Sequence, residues 1–123
     1  MITVKLRAGM LTSQFKRGGT VMKYAMVWRE RRYGSAEAAE SAQQRVLSLM
    51  QNWKEPEGVA FLQFVVRVGE YGGVALLETD DLSSIHQMTS TFAVFEFEVW
   101  PVLDVGDALA AEGAAVAWRE SVS

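Results

Sequence analysis

The chain has 123 residues, half of them hydrophobic, with a formal net charge of −3, one histidine and no cysteine. This length allows one hydrophobic core, and the lack of cysteine excludes disulfides and thiolate chemistry. A lone histidine cannot build a His-rich metal site, so we expect no metal or other cofactor. The apolar runs are far shorter than the roughly 20 residues that span a bilayer, so we expect a soluble protein with no membrane partner. The lack of cysteine makes the reducing cytoplasm the expected location.

Charge is distributed unevenly along the chain. Residues 1–21 contain four basic residues and no acidic one, whereas the remainder carries 8 basic and 15 acidic residues. An acidic body repels phosphate backbones, so nucleic acid is not an expected partner. We interpret residues 1–20 as an N-terminal extension, either disordered or an over-long start, although residues 2–7 alternate at period 2 and are compatible with an edge strand. Residues 21–123 are interpreted as one domain.

The first half of this domain predicts a strand, a helix and a hairpin. Residues 21–29 are rich in β-branched, aromatic and Met residues, which favours a buried strand. Ser35 is a typical N-cap, and apolar residues at spacings of three and four follow it as far as Trp53. Residues 59–68 and 74–79 then predict two strands joined by a turn at residues 69–73.

The second half predicts a helix, a strand and a weaker helix. Asp80 and Asp81 are placed to stabilise the start of the second helix. Residues 93–102 alternate between apolar and polar side chains, which is typical of a strand. An Ala-rich helix, capped by Asp104 or Asp107 and broken near Gly113, is predicted to follow.

The resulting order, β-α-β-β-α-β plus a helical tail, predicts an α+β fold of the ferredoxin-like class. In this arrangement two helices cover one face of a four-stranded antiparallel sheet. Several strands are apolar on both faces, so the second face also needs cover. A second copy of the chain is the simplest cover, which predicts a homodimer.

Three segments also resemble a known family. The segments Met22-Lys23-Tyr24 with Trp28, Leu77 to Asp81, and Phe97 to Leu103 are similar to a small bacterial family of domains of unknown function in the dimeric α/β-barrel superfamily. The resemblance covers about residues 22–110. It implies a dimer whose two sheets form a barrel, with a ligand cavity between sheet and helices. Superfamily members include cofactor-independent monooxygenases, isomerases and cyclases, and the fold alone does not choose among them.

Glu78 and His86 are the candidate catalytic residues. Glu78 shares a strand face with Leu76 and Val74, and a carboxylate on a buried face would have a raised pKa suited to proton transfer. The alternative is a carboxylate at the strand rim, in water or paired with Arg67. His86 has the ordinary imidazole pKa of a general base if it points towards the sheet, and otherwise is a half-exposed helical residue.

Aromatic residues and methionines provide a candidate binding site. Tyr24, Met26 and Trp28 share one face of the first strand, with Phe64 expected nearby and Phe92 on the second helix. Such residues can line a pocket for a flat apolar ligand, although the same pattern is typical of plain core or dimer contact.

Two charged groups of residues each allow two interpretations. Arg29, Arg31 and Arg32 form either a solvated loop or a patch that attracts a carboxylate to the pocket mouth. Glu96 and Glu98 line either the interior of a dimeric barrel or a solvent face.

The sequence therefore predicts a small-molecule enzyme acting on an apolar or aromatic substrate by acid/base chemistry, as a cyclase, an isomerase or a cofactor-free monooxygenase. The alternative is a non-catalytic homodimer that binds a ligand or a partner. An ionisable group inside a closed cavity favours the enzyme, and a cavity filled by side chains favours the alternative.

Overall fold

A computed structural model of the protein describes residues 20–123. The predictions made for residues 1–19 lie outside this range. The elements in chain order are β1 (Met22–Glu30), α1 (Ala36–Asn52), β2 (Val59–Val66), β3 (Gly72–Thr79), α2 (Leu82–Thr91), β4 (Phe95–Val102) and α3 (Val105–Ser121). The strands form one sheet of order β2-β3-β1-β4 in which all neighbours are antiparallel. This confirms the predicted ferredoxin-like fold with an extra C-terminal helix.

The first two helices begin where their capping residues predict. The Ser35 hydroxyl accepts a hydrogen bond of 3.0 Å from the backbone N–H of Ala38, and Asp81 accepts one of 3.0 Å from that of Ser83. Each bond satisfies a donor that the first turn of a helix leaves without a partner. α1 and α2 therefore have fixed starting points against the sheet.

The two faces of the sheet differ in cover. One face, which we call the covered face, packs against α1 and α2 and carries Tyr24, Met26 and Trp28 of β1. The opposite face, which we call the open face, has no helix packed across it among residues 20–123. The core cluster on the covered side comprises Tyr24, Met26, Trp28, Val46, Ala75, Leu77, Ile85, Met88, Phe92 and Phe95.

A β-bulge in the edge strand β2 changes which side chains share a face. The register of β2 against β3 shifts between Phe61 and Gln63. In a regular strand, residues three apart point to opposite faces. The extra residue at the bulge brings Phe61 and Phe64 onto the covered face together, where their rings stack with centroids 5.1 Å apart.

Two local predictions were wrong. Gly72 and Gly73 were assigned to the hairpin turn but begin β3, because the ladder with β1 extends to these glycines. The C-terminal helix was expected to break near Gly113 but continues from Val105 to Ser121. A glycine inside a helix costs about 1 kcal/mol relative to alanine, which weakens a helix without necessarily ending it.

Candidate functional site

A cavity of about 230 Å³ lies between the covered face of the sheet and helices α1 and α2. The cavity is lined by Met26, Trp28, Val46, Leu47, Met50, Trp53, Phe61, Phe64, Val66, Tyr71, Gly72, Met88, Phe92, Phe95 and Phe97. Not one of these residues carries a formal charge at neutral pH. The side chains of Leu47, Met50, Phe64 and Val66 are exposed and form the mouth of the cavity, beside the β2 edge. This combination of apolar walls and an accessible mouth is typical of a binding pocket for a neutral molecule.

The aromatic walls of this cavity support one another. The ring of Phe64 meets the indole of Trp28 edge to face at 5.3 Å, and the ring of Phe92 meets that of Trp53 at 5.5 Å. Each such pair contributes about 0.5–1.5 kcal/mol beyond the area it buries. These contacts hold the rings in the cavity wall, so the rings do not collapse into the cavity.

Two glycines make room for Trp28, one beside its indole and one beside its backbone carbonyl. Gly73 lies directly opposite Trp28 in the antiparallel ladder of β1 and β3. A Cβ atom at Gly73 would lie 2.7 Å from Cζ2 of Trp28, closer than real Cβ contacts come. At Gly72 a Cβ would meet the backbone carbonyl of Trp28. The glycine pair thus serves the cavity wall as well as the hairpin.

Tyr71 is the titratable residue in the cavity wall. Its ring meets that of Phe95 edge to face at 5.5 Å. Burial raises the pKa of the Tyr71 phenol above its usual value, and the charge of Glu30 and the neighbouring Tyr33 act in the same direction. The phenol therefore stays protonated at neutral pH and is available as a hydrogen-bond donor.

The structure separates the predicted catalytic residues from the cavity. Glu78 pairs across the strands with Lys23 and Ala60 on the open face, so of the two positions open to its carboxylate the one on the buried face is wrong. The reason is that β3 is apolar on both faces, and Ala75 and Leu77, rather than Leu76, face the helices. Sequence alternation alone does not reveal which face is covered.

His86 also lies outside the cavity. It is exposed on α2, whereas its neighbour Ile85 and Met88 are buried against the sheet. Of the two alternatives for His86, the one that points towards the sheet is therefore wrong, and the imidazole is an exposed helical residue. The Arg67 guanidinium, suggested as a partner for Glu78, instead pairs with Glu70 in the hairpin turn.

Four of the five predicted binding residues line the cavity, namely Met26, Trp28, Phe64 and Phe92. Tyr24 is buried on the same face of the sheet but does not line the cavity. Sequence analysis missed Tyr71 because this residue lies in the predicted turn. It missed Phe61 because a regular strand would put Phe61 and Phe64 on opposite faces, whereas the bulge puts both on the covered face. The only available signal for these two was their aromatic character.

The two charged groups identified in the sequence, the arginines after β1 and the glutamates of β4, lie near one end of the sheet. Arg29 lies 3.6 Å from Glu98, and Arg31 lies 4.0 Å from Glu96, all with exposed side chains. Exposed pairs of this kind contribute about 0–1 kcal/mol. Glu96 and Glu98 lie on the open face, and Arg29, Arg31, Arg32 and Glu96 line a shallow polar concavity beside the cavity. This concavity holds charges of both signs, so it has no clear preference for an anion.

Residues 22–116 match the family described as a domain of unknown function, DUF3303. The chain belongs to this family. The match covers all four strands, α1, α2 and most of α3, so the cavity lies within the DUF3303 domain. No curated protein and no solved structure matches the chain.

Two further observations limit the chemistry of the described part of the domain. Within residues 20–123 no three His, Asp or Glu side chains are grouped closely enough to hold a metal ion. None of the helices in that range is long and apolar enough to cross a bilayer.

Proposed function

We propose that this DUF3303 protein binds a small, neutral, flat apolar or aromatic molecule in the cavity between the sheet and helices α1 and α2. The observation that carries the proposal is a ring-lined cavity of about 230 Å³ whose wall contains no charged side chain. A cavity of about 150 Å³ with apolar walls accommodates benzene. The larger volume here suits a molecule of about two fused rings. A charged ligand would lose its hydration without gaining a partner in this wall.

Binding is tested with 2-naphthol, a neutral two-ring molecule, and with 2-naphthoate as its charged counterpart. Trp28 and Trp53 line the cavity, so binding changes tryptophan fluorescence. We expect saturable binding of 2-naphthol and much weaker binding of 2-naphthoate. Equal affinities for the two compounds, or no binding of either, would contradict the proposal.

A variant at the mouth locates the bound molecule. Met50 is an exposed lining residue of α1, so Met50→Glu places a charge at the entrance with little effect on folding. We expect about tenfold weaker binding of 2-naphthol, equivalent to about 1.4 kcal/mol. Gln51→Glu is the matched control, because Gln51 is exposed on the same helix but does not line the cavity. An unchanged affinity in Met50→Glu would place the ligand elsewhere.

A second candidate function is catalysis on the same class of molecule, as an acid/base isomerase, cyclase or cofactor-free monooxygenase. Its support is Tyr71, a protonated phenol in an apolar wall that can donate to a ligand oxygen. The probe is 1-tetralone, a neutral two-ring ketone, in deuterated water. In this exchange the Tyr71 phenol donates to the carbonyl oxygen and a solvent molecule removes the α-proton and later returns a deuteron. Deuterium uptake next to the carbonyl that is lost in Tyr71→Phe, while binding persists, supports catalysis. Uptake no faster than in buffer argues for binding alone.

The proposed assembly is a homodimer of the dimeric α/β-barrel type, formed through the open face. Its support is apolar surface: Val27, Val74 and Val65 lie side by side across three strands, and Trp100 is 51% exposed. Contiguous exposed apolar surface of this kind is typical of protein interfaces.

A cytoplasmic location belongs to the same proposal, since a fold without cysteine depends on no disulfide and suits a reducing compartment.

A further inference from the structure

Helix α3 has an apolar surface that nothing in residues 20–123 covers. It has 17 residues and not one is buried, with Leu109 60% and Trp118 67% exposed. Leu109 and Trp118 point to opposite sides, because nine residues correspond to two and a half turns. A helix that is apolar on both sides is ordinarily buried on both sides. Two glycines inside α3 also lower its intrinsic stability, so packing against a partner surface has to supply it.

The edge strand β2 also has an apolar surface without a cover among the described residues. β2 contains no charged residue and no proline, and Leu62, Phe64 and Val66 are exposed. The opposite edge strand, β4, carries Glu96, Glu98 and Pro101, which are the residue types that protect an exposed edge from association. A helix laid along a sheet edge is another common protection. β2 therefore has the surface that a covering helix requires.

The two surfaces do not meet within one chain. α3 follows β4, and two strands separate β4 from β2, a distance of about 14 Å. The start of α3 is held beside β1 and β4, because the Lys23 ammonium of β1 donates a hydrogen bond to Asp104, which follows β4. That bond raises the pKa of Lys23, and the charge of Asp107 in the first turn of α3 acts in the same direction. Since Lys23 lies on the open face, α3 begins on the side where a second sheet would pack.

We infer that α3 of each copy lies along the β2 edge of a second copy and covers the mouth of that copy's cavity. The inference rests on the homodimer proposed above. A twofold axis parallel to the strands, between two facing sheets, reverses the strand order and places β4 of one copy opposite β2 of the other. The lengths agree, since a 17-residue helix is about 25 Å long and an eight-residue strand about 26 Å. Leu47 and Val66 at the mouth then gain an apolar neighbour.

Cross-linking between two single-cysteine variants tests whether α3 of one copy packs along β2 of the other, an arrangement that we call the exchange of α3. The chain has no cysteine of its own, so Leu109→Cys and Leu62→Cys are introduced into separate copies that carry tags of different mass. After the copies are mixed, a short bismaleimide joins them only if α3 of one reaches β2 of the other. The control pairs Leu109→Cys with Leu82→Cys, because Leu82 is 63% exposed on α2, away from the proposed contact. We expect on the order of tenfold more mixed product from the first pair.

Sedimentation of the unmodified protein separates failure of the exchange from failure of the dimer. The protein could sediment as a dimer while the two cysteine pairs give equal amounts of mixed product, or none. That result overturns the exchange of α3 but not the proposed dimer. A monomer at all concentrations overturns both. If Leu62→Cys fails to fold, Val66→Cys replaces it in the same edge strand. If residues 1–19 or the chain's own α3 cover β2 instead, the mixed product is absent and the inference is wrong.

Discussion

Gly73 shows how one missing side chain shapes the cavity wall. In the structure an added methyl group at Gly73 would clash with both the backbone carbonyl of Val65 and the indole of Trp28. We expect Gly73→Ala to lower the free energy of unfolding by about 1–3 kcal/mol, the usual cost of overpacking. Urea denaturation measures this change in the free energy of unfolding. Gly34→Ala is the control, because nothing lies within 4 Å of a Cβ there and the change should stay within about 0.5 kcal/mol. Equal effects would contradict the close approach.

The phenol of Tyr71 gives the protein a specific dependence on pH. Its folded-state pKa is raised by burial, whereas in the unfolded chain a tyrosine ionises near about pH 10. A raised folded pKa contributes stability that is fully present below about pH 10 and lost as the pH rises through the folded value. We expect the wild type to lose stability relative to Tyr71→Phe as the pH rises above about 10. Parallel unfolding profiles of the two proteins over that range would show that the phenol is not buried.

At the scale of the element, sequence patterns predicted what depends on local chemistry. The N-cap Ser35, the hairpin and the order of strands and helices follow from side-chain types at fixed spacings, and the structure confirms them. The side of the sheet that the helices cover depends on tertiary packing instead. Because β3 is apolar on both faces, its alternation leaves open which face carries Glu78, and the bulge in β2 puts Phe61 on the same face as Phe64 without a sequence signal.

The cap of α1 supports a prediction at this scale. The Ser35 hydroxyl accepts a hydrogen bond from the N–H of Ala38, which alanine at position 35 would leave without a partner. We expect Ser35→Ala to lower the free energy of unfolding by about 1 kcal/mol. Urea denaturation followed by far-UV circular dichroism measures it. Ser41→Ala is the control, because Ser41 is exposed inside the same helix and alanine has the higher helix propensity. A loss of stability in Ser41→Ala as large as that in Ser35→Ala would argue against the cap.

At the scale of the whole molecule, residues 20–123 of a single copy leave three apolar surfaces uncovered: the valine patch of the open face, the β2 edge and α3. Composition indicated the first of these, since several strands were visibly apolar on both faces. The other two required the structure, in which β2 is an edge strand and α3, which follows the opposite edge strand β4, has no buried residue. A twofold assembly through the open face would bring all three together, so the dimer and the exchange of α3 are linked.

Val74 lies near the centre of the open face, between Val27 and Val65 in neighbouring strands, and provides the test of the dimer. In one copy it is 39% exposed, so Val74→Glu should fold normally. In a face-to-face dimer the same change buries two carboxylates close together, and like charges in an interface cost several kcal/mol. We expect sedimentation to show a dimer dissociation constant raised by about a hundredfold or more.

Leu82→Glu is the matched control, because Leu82 is exposed on α2 and adds the same charge on the opposite side of the sheet. It should leave the dimer unchanged, since the two variants have the same net charge and differ only in the face that carries it. If both variants weaken association equally, overall charge rather than the open face governs it. If neither does, the dimer forms through another surface, and the position inferred for α3 is wrong as well.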